Sequence, residues 1–404
     1  MKTSNIALVA GLVTGMGLSA TAWSGAKIAV DDNISVTVGA RVQALAIRTD
    51  KDLDGDGDYE KDNDFRVRRA RLLVKTQLQD NLTFFIQTEA SDDEGGTGSD
   101  MRVIDSWVNY KFDNWLQLYA GQHMAPASRQ ALTASNKMMA IDRPGNNTKN
   151  LTWGARTMSG FNTATFGPSN DSAISGRNAV RDVGMSLFGA GELGEGVHLK
   201  YYAGMFDGVQ KSSAAEDNLR YTARVQLNLM DDEAAFWNSS TYLGKKKTVG
   251  FGLSYDVQDK VQDATLVDEN TGDLVGDGDY TYWSIDAFAD LPLGPGALTL
   301  EAAYSDLDLG SATQQSVQSQ GNGWYLQTGF YINQWQPWVE FEAWDSDSAN
   351  GAGSYDMFRV GVNYYIQGHN ANFKLGLEKL NSDQNITAEE DSLTSLVFGI
   401  YTNF

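Results

Sequence analysis

The chain has 404 residues, no cysteine and a formal net charge of -21 at pH 7. The lack of cysteine excludes a disulfide framework and a thiolate metal site. The negative charge argues against nucleic acid as a partner, because phosphates would be repelled. A content of 42% hydrophobic residues, 41 glycines and a mean hydropathy of -0.36 indicate apolar residues spread thinly over many segments.

The N-terminus has the layout of a secretory signal peptide. Lys2 precedes an apolar run over residues 6–18, and the small residues Ala20, Thr21 and Ala22 follow. We expect a signal peptide over residues 1–22 and a mature domain over residues 23–404. The alternative, a transmembrane helix, is disfavoured because glycines interrupt the run and it is shorter than the roughly 20 residues that a span needs.

From about Ile34 onward, segments of roughly ten residues alternate apolar and polar side chains, which is the period of a β-strand with one apolar face. Residues 219–229 give the clearest example. Beyond Ala22 no stretch is apolar for long enough to span a membrane as a helix, so a membrane protein with this sequence would have to be a closed barrel. Sixteen segments are found, starting near residues 34, 64, 82, 101, 115, 181, 196, 217, 245, 279, 296, 322, 335, 354, 369 and 392.

The connections between these segments are alternately short and long. Short links lie near residues 79–81, 113–114, 193–195, 292–295, 333–334 and 367–368, with a longer exception at 231–244. Long links lie between them, and the longest, residues 124–180, is the third external one by this count. The pattern predicts an all-β fold, a 16-stranded antiparallel transmembrane β-barrel, since single-chain bacterial barrels have even strand numbers.

The last segment ends the chain with an amphipathic strand. Leu396, Phe398 and Ile400 share one face with the terminal Phe404. A terminal aromatic residue on such a strand looks like the signal that barrel-assembly machinery reads. Together with the signal peptide, it predicts a location in the outer membrane of a Gram-negative bacterium.

Three stretches resemble the phosphate-selective porin O and P family. They are FRVRRARLLV at residues 65–74, LYAGQ at 118–122, and the stretch at 135–143. The resemblance implies a 16-stranded barrel, a homotrimer, and a third external loop that folds into the lumen as a constriction. It also implies that basic wall residues lead anions to a lysine; Lys137 matches that lysine, and Arg69 and Arg71 match the basic run of the second strand.

Alternation assigns many basic side chains to the polar, inward face. Inward placement is favoured because a charge that faces lipid costs several kcal/mol near the bilayer midplane. On the second strand, Arg66 and Arg68 fall on the apolar face, so either a bulge shifts the register or both stand above the bilayer near lipopolysaccharide phosphates. The inward basic residues are Arg41, Arg69, Arg71, Lys75, Lys200, Arg220, Arg224, Arg359 and Lys374.

The tenth to thirteenth strands carry inward carboxylates instead, so an acidic wall should oppose the basic one. Opposed walls create a transverse field that orients polar solutes; alternatively, the charges only solvate a wet interior and pair with one another. The acidic residues are Asp286, Asp290, Glu301, Glu340 and Glu342.

The third external connection should supply the constriction, because it is long and carries Arg129, Lys137, Arg143 and Lys149. Unlike walls partly cancel along the pore axis, and the stretch 129–132 offers no second lysine. We therefore expect a pore for small hydrophilic solutes with a weak preference for anions such as phosphate. The alternative is a general or cation-leaning porin without phosphate specificity.

An external loop resembles the first half of an EF-hand, since Asp52, Asp54, Asp56 and Asp58 place carboxylates at alternate positions around Gly57. Calcium is therefore a possible ligand, although Asn63 stands where a closing glutamate is needed, and no cofactor is required. The other expected partners are outer-membrane lipids, lipopolysaccharide and the permeating solutes.

Catalysis has little support in the sequence. His123, His198 and His369 are scattered, and no strand face carries a Ser, His and Asp set at a defensible spacing. A barrel enzyme is the second hypothesis. A purely structural or adhesive barrel is the third, and the charged interior disfavours it.

Overall fold

The computed structural model describes residues 25–31, 33–51, 60–90, 101–144, 181–208, 218–262, 266–267, 274–275, 278–308, 321–347, 354–382 and 392–404. Sixteen long strands dominate these residues. They are β1 Ser35–Lys51, β2 Glu60–Gln79, β3 Leu82–Ala90, β4 Arg102–Lys111, β5 Gln117–Met124, β6 Arg181–Gly194, β7 Val197–Phe206, β8 Arg220–Met230, β9 Thr248–Gln262, β10 Gly278–Leu293, β11 Gly296–Asp308, β12 Gly321–Tyr331, β13 Trp335–Ser346, β14 Tyr355–Tyr365, β15 Ala371–Ser382 and β16 Ser392–Asn403.

Each long strand pairs antiparallel with its neighbours in the chain, and β16 pairs with β1 from Asn403 opposite Arg41 to Thr394 opposite Asp50. The sheet is therefore a closed barrel without a free edge in its wall. Every predicted strand start lies within about four residues of the observed one, so the predicted 16-stranded barrel is confirmed. No helix in the described part of the chain is long and apolar enough to cross a membrane.

The strands form because their side chains alternate between two environments. On β8, Tyr221 and Val225 are 52% and 50% exposed on the outer face, whereas Arg224 and Gln226 on the inner face are 1% and 0% exposed. The apolar outer band faces the lipid, and the polar residues face the interior of the barrel. The main-chain groups are satisfied between strands, as a membrane requires.

A β-bulge in β2 resolves the ambiguity at the arginine run. Gln43 of β1 pairs with Arg69 and Ala44 pairs with Val67, so Arg68 is the extra residue. The bulge turns Arg68 inward beside Arg69, and both side chains are buried. Of the two alternatives, the register shift is the one observed.

The short turns and the last residue, Phe404, share one end of the barrel, which is the periplasmic end in the predicted orientation. Phe404 closes the wall there, since its main-chain N–H donates to Ala40 O at 2.8 Å and its carbonyl accepts from Ala40 N at 3.0 Å. A short strand, Ala26–Ala29, pairs with the start of β1 beyond this point. Gly294 lies in a tight turn between β10 and β11, where a φ of +57° favours glycine. Two further short strands, Leu266–Val267 and Leu274–Val275, pair with each other.

Candidate functional site: the occupied lumen

Residues 125–144, the described part of the third external connection, lie inside the barrel and form the lumen loop. Lys374 Nζ donates hydrogen bonds to the carbonyl oxygens of three successive loop residues, 138–140. Tyr401 Oη donates to Ile141 O at 2.7 Å. Because these donors belong to the inner faces of β15 and β16, the loop is fastened to that part of the wall. Residues 145–180, which include Lys149, lie outside the described residues.

The end of the lumen loop is anchored by ion pairs to the bulge in β2. Asp142 accepts from Arg68 Nε at 2.6 Å and from Arg69 Nη2 at 3.1 Å. From β14, Arg359 Nη1 donates to Arg143 O at 3.0 Å. The bulge therefore has a structural consequence, since it points two adjacent guanidinium groups at one loop carboxylate.

The tip of the loop contacts the basic wall through a single hydroxyl. Ser135 Oγ accepts hydrogen bonds from Arg41 Nη1 at 2.6 Å and from Arg71 Nη1 at 2.9 Å. Gln43 Nε2 donates to the carbonyl of the same serine at 3.0 Å. Two of the predicted pore arginines are thus held in place by the loop that they face.

A second segment enters the lumen from the periplasmic end. Residues 231–247, between β8 and β9, form the lumen turn, and its Asn238, Thr241 and Leu243 are buried. Met230 and Thr248 are directly paired, so the barrel wall does not need these residues. The sequence showed only that this link is longer than the other short ones, and its entry into the barrel was not foreseen.

The lumen loop and the lumen turn are hydrogen-bonded to each other. Thr133 and Asn238 form an isolated parallel bridge. Ala134 N donates to Asn238 O at 3.1 Å, and Asn238 N donates to Leu132 O at 2.9 Å. The two segments therefore form one body that crosses the lumen.

A buried ion pair reinforces this contact. Arg129 of the loop donates two hydrogen bonds of 2.9 Å to the carboxylate of Glu233 in the turn. Burial alone would raise the pKa of Glu233, but the charge and hydrogen bonds of Arg129 hold it well below its usual range. Gln226 Nε2 also donates to Glu233 at 2.6 Å. The ring of Phe288 lies 3.8 Å from the Arg129 guanidinium carbon.

Aromatic side chains fill the lumen beside β3 to β7. Phe236 of the turn packs against Tyr119 and Tyr202, with ring centroids 4.3 and 5.3 Å apart. Trp237 packs on Trp107 at 5.5 Å. The other large apolar members of this cluster are Leu73, Phe85, Met124, Leu132 and Phe188.

Five guanidinium groups lie together on the basic side and are named the arginine cluster: Arg41, Arg69, Arg71, Arg143 and Arg181. Three carboxylates accompany them. Glu89 lies 2.7 Å from Arg71 Nη2, and Asp105 lies 3.1 Å from Arg181 Nε; the third is Asp142. The sequence prediction did not include Arg181, Glu89 or Asp105, although alternation along β3 places Glu89 inward beside Phe85.

Most of the other predicted basic residues are engaged with partners away from the arginine cluster. Arg220 pairs with Asp256 at 2.5 Å, and Arg224 pairs with Asp286 at 2.5 Å. Lys200 donates to Asn238 Oδ1 at 2.7 Å and so holds the lumen turn. Arg359 lies between Glu340 and Glu378, at 2.9 and 2.7 Å. Lys75 is half-buried on β2, toward the periplasmic end.

The carboxylates predicted for the acidic wall are buried inside the barrel, and each has a hydrogen-bond or ion-pair partner. Asp290 accepts from the main-chain N–H of Tyr242 at 2.8 Å and of Gly244 at 3.3 Å. Glu301 accepts from Gln130 and from Tyr325 Oη. Asp286 and Glu340 have the arginine partners given above, and Glu342 accepts from Tyr355 Oη at 2.6 Å.

Counted over the described residues, the buried interior is electrically balanced, with twelve basic and twelve acidic side chains. The two signs are separated, however. The basic side has seven cations against three carboxylates: the arginine cluster, Arg68 and Lys374, against Glu89, Asp105 and Asp142. The acidic side has nine carboxylates against five cations: Asp182, Glu233, Asp256, Asp286, Asp290, Glu301, Glu340, Glu342 and Glu378, against Arg129, Lys200, Arg220, Arg224 and Arg359.

A slit remains between the loop tip and the basic wall. It has a volume of about 40 Å³, which is room for roughly three water molecules at about 10 to 15 Å³ each. Its charged lining has three cations and one anion, Arg41, Arg71, Arg181 and Asp105, and its other lining residues include Gln87, Ser135, Asn136 and Trp237.

Lys137 follows the loop tip and is half-buried, and within the described residues it has no ion-pair partner. Burial lowers its pKa to about 8, and the charges of Lys246, Lys245 and Arg41 contribute to the shift. Arg143, predicted beside it, instead donates hydrogen bonds to Gln130 O and Thr133 O within its own loop.

One histidine contacts a serine inside the barrel. His123 Nε2 lies 2.8 Å from Ser186 Oγ, and His123 Nδ1 lies 2.8 Å from Gly121 O. The second ring nitrogen thus faces a main-chain carbonyl where a catalytic triad has a carboxylate. Phe206 and Phe236 cover the histidine ring, with centroids 5.1 and 6.1 Å away, so the geometry is that of a wall residue.

A closed 16-stranded barrel with an apolar outer band, a charged inner wall and a loop inside the lumen defines an outer-membrane channel of the porin class. The sequence profile of phosphate-selective porin O and P matches residues 36–400. The chain therefore belongs to that family, as its motifs indicated. Membership of this family, together with the porin fold, points to a channel.

Individual relatives are distant. An uncharacterized protein of Aquifex aeolicus (strain VF5) is 23% identical over 366 residues, which cover 81% of this chain and 78% of that protein. The anion-selective porin from Comamonas acidovorans superposes with a TM-score of 0.58 at 14% identity, covering 92% of this chain and 100% of the porin. A trimer form of OmpT, an outer membrane protein of Vibrio cholerae, gives a TM-score of 0.51 at 12% identity, covering 92% and 100%. At these identities the solved structures show the fold alone.

Proposed function

We propose that this porin forms a narrow water-filled pore for small hydrophilic solutes, with a weak preference for anions such as phosphate. The observation that carries the proposal is the charge of the slit, where Arg41, Arg71 and Arg181 oppose the single carboxylate of Asp105. Lys137 adds a further positive charge after the loop tip. A low-dielectric wall lined by one sign of charge raises the local concentration of ions of opposite sign.

The preference is weak because the positive charges are partly neutralised. Asp105 pairs with Arg181, and Glu89 pairs with Arg71. Charges in a water-filled pore are also screened within about 8 to 10 Å at physiological ionic strength. The family name and the anion-selective porin of similar fold agree with this sign of selectivity.

A general or cation-leaning porin is the second candidate. The equal numbers of buried acidic and basic side chains favour it, because a path that met both walls equally would have no selectivity. The two candidates differ in the route that ions take through the lumen.

The assembly proposed for the chain is a homotrimer in the outer membrane, in contact with lipids and lipopolysaccharide. The fold is shared with OmpT, an outer membrane protein of Vibrio cholerae that was solved in a trimer form, and the outer face is broadly apolar. Delivery through a signal peptide over residues 1–22 belongs to the same proposal, and that segment lies outside the described residues.

Calcium in the first external loop is a separate proposal. Asp52, Asp54, Asp56 and Asp58 lie outside the described residues, so its basis is the alternate spacing of oxygen ligands alone. Calorimetric titration with calcium should give a binding isotherm that the double change Asp54→Asn and Asp56→Asn abolishes. The absence of binding to the unchanged protein would end this proposal.

Single-channel recording in planar bilayers tests the main proposal. The purified protein should give steady, ohmic and small current steps in potassium chloride, and added phosphate should permeate without strong block. Small steps are expected because the slit is narrow. A protein that inserts without giving steps would contradict the pore, and strong block by micromolar phosphate would contradict a weak preference.

A further inference from the structure

Among the residues that the structure describes, the lumen contains equal numbers of buried acidic and basic groups, yet a solute would not meet them equally. The body formed by the lumen loop and the lumen turn contacts two carboxylates of the acidic side, Asp290 and Glu301. It also contacts the basic wall through Ser135 of the loop. The slit lies between the loop tip and the arginines Arg41 and Arg71, and Trp237 of the turn forms part of its lining. Permeating ions therefore meet the charges that line the slit, and the lumen loop and lumen turn decide which wall charges remain exposed there.

The lumen turn covers the acidic side directly. Two of its main-chain N–H groups, from Tyr242 and Gly244, donate to Asp290. Its Thr241 Oγ1 accepts from Gln336 Nε2 at 3.2 Å, and its Ser240 Oγ accepts from Gln327 Nε2 at 3.0 Å. Gln336 belongs to β13, which carries Glu340 and Glu342, and Gln327 belongs to the neighbouring β12, so the turn is fastened to this part of the wall.

The lumen loop covers the adjacent carboxylate. Gln130 donates to Glu301, and the Arg129 guanidinium lies 3.9 Å from the same carboxylate. Arg129 also binds Glu233 and donates to Ser239 O at 3.0 Å, and both of these residues belong to the turn. Arg129 of the loop therefore contacts both the turn and the acidic wall.

We infer that the lumen turn is a selectivity-determining element: it screens the acidic wall and confines the ion path to the arginine cluster. This inference rests on the proposed anion preference and gives its structural cause. The turn screens these carboxylates because it lies over them. Arg129 and Glu233 are positioning residues that hold the turn against the loop.

The turn can be removed without cutting the barrel. Met230 and Thr248 are paired directly, so residues 231–247 can be replaced by Asn-Gly, a two-residue turn that closes such hairpins. In a zero-current potential measurement under a salt gradient, the replacement should shift the potential toward cation selectivity. Its single-channel conductance should rise at least twofold. A replacement barrel that folds, as judged by heat-modifiable gel mobility, and keeps both wild-type values would overturn the inference.

Point variants test the same inference in the intact chain and do not depend on the folding of the replacement. Glu301→Gln should leave the zero-current potential unchanged, because the body covers Glu301. Asp105→Asn is the matched change on the slit, and it should shift the potential toward anions. Equal shifts for the two variants would overturn the inference.

These outcomes are separable from failure of the proposed function. The sign of the wild-type potential tests the anion preference itself. The difference between each variant and the wild type tests the screening by the turn. If the wild type is cation-selective and removal of the turn makes it still more cation-selective, the proposed anion preference is refuted and the screening by the turn is retained.

Discussion

Replacement of Lys137 by glutamine should lower the preference for anions. Lys137 follows the tip of the lumen loop and has no ion-pair partner within the described residues, so its charge is available to passing ions. A glutamine keeps a polar side chain of similar length and removes only the charge. The loop contacts at Ser135 and Asp142 do not involve this side chain.

The size of the effect follows from elementary electrostatics. An ion that passes about 4 Å from a unit charge in bulk-like water gains or loses about 1 kcal/mol. The change acts in opposite senses on anions and cations, so the permeability ratio changes by at most about 2 kcal/mol. Screening by salt reduces this value. Because about 1.4 kcal/mol is a factor of ten, we expect a roughly three- to tenfold fall in the ratio of anion to cation permeability.

The assay is the zero-current potential across a planar bilayer with a tenfold gradient of potassium chloride. Lys379→Gln is the matched control, because it removes the same charge from an exposed position on β15. If Lys137→Gln and the control give the same permeability ratio as the wild type, Lys137 does not face the ion path and the reasoning is refuted.

The anion preference should fall between pH 7 and pH 9, because the pKa of Lys137 is about 8 and the lysine loses its charge as the pH rises through that value; the zero-current potential of Lys137→Gln should change less over the same interval. Asp142→Asn should lower the free energy of unfolding by roughly 3 to 5 kcal/mol, because it removes the carboxylate that holds the buried Arg68 and Arg69, and an unchanged midpoint in guanidinium unfolding would contradict this value. Phe404→Ser should reduce the amount of protein assembled in the outer membrane but leave refolded protein almost as stable, since the side chain is 63% exposed; cell fractionation and denaturant unfolding measure the two quantities separately.

The strands were predictable because alternation has a period of two and each strand has a lipid face and a polar face. The bulge at Arg68 was visible as a conflict in this period, where the arginine fell on the apolar face. Two explanations were consistent with the sequence, a bulge in the strand or arginines above the bilayer, and the sequence alone did not distinguish them. The choice depends on Asp142, which lies 74 residues away in the chain.

The lumen turn was less predictable, because its contacts are not periodic. Only the length of the link between β8 and β9 indicated it. Its burial depends on Glu233, which meets Arg129 across 104 residues of chain, and on Phe236, which completes an aromatic cluster built from five strands. The inward direction of these charged side chains followed from alternation, but their pairing could not be predicted, since register and loop position decide which charges meet.

The route of ions through the lumen is tested most directly by cysteine accessibility, since the chain has no cysteine of its own. Asn136→Cys places a thiol on the slit, and Ser240→Cys places one in the lumen turn against the acidic side. A negatively charged methanethiosulfonate reagent, added during recording, should reduce the current through Asn136→Cys and leave the current through Ser240→Cys unchanged. Modification of Ser240→Cys with no effect on Asn136→Cys would contradict the account.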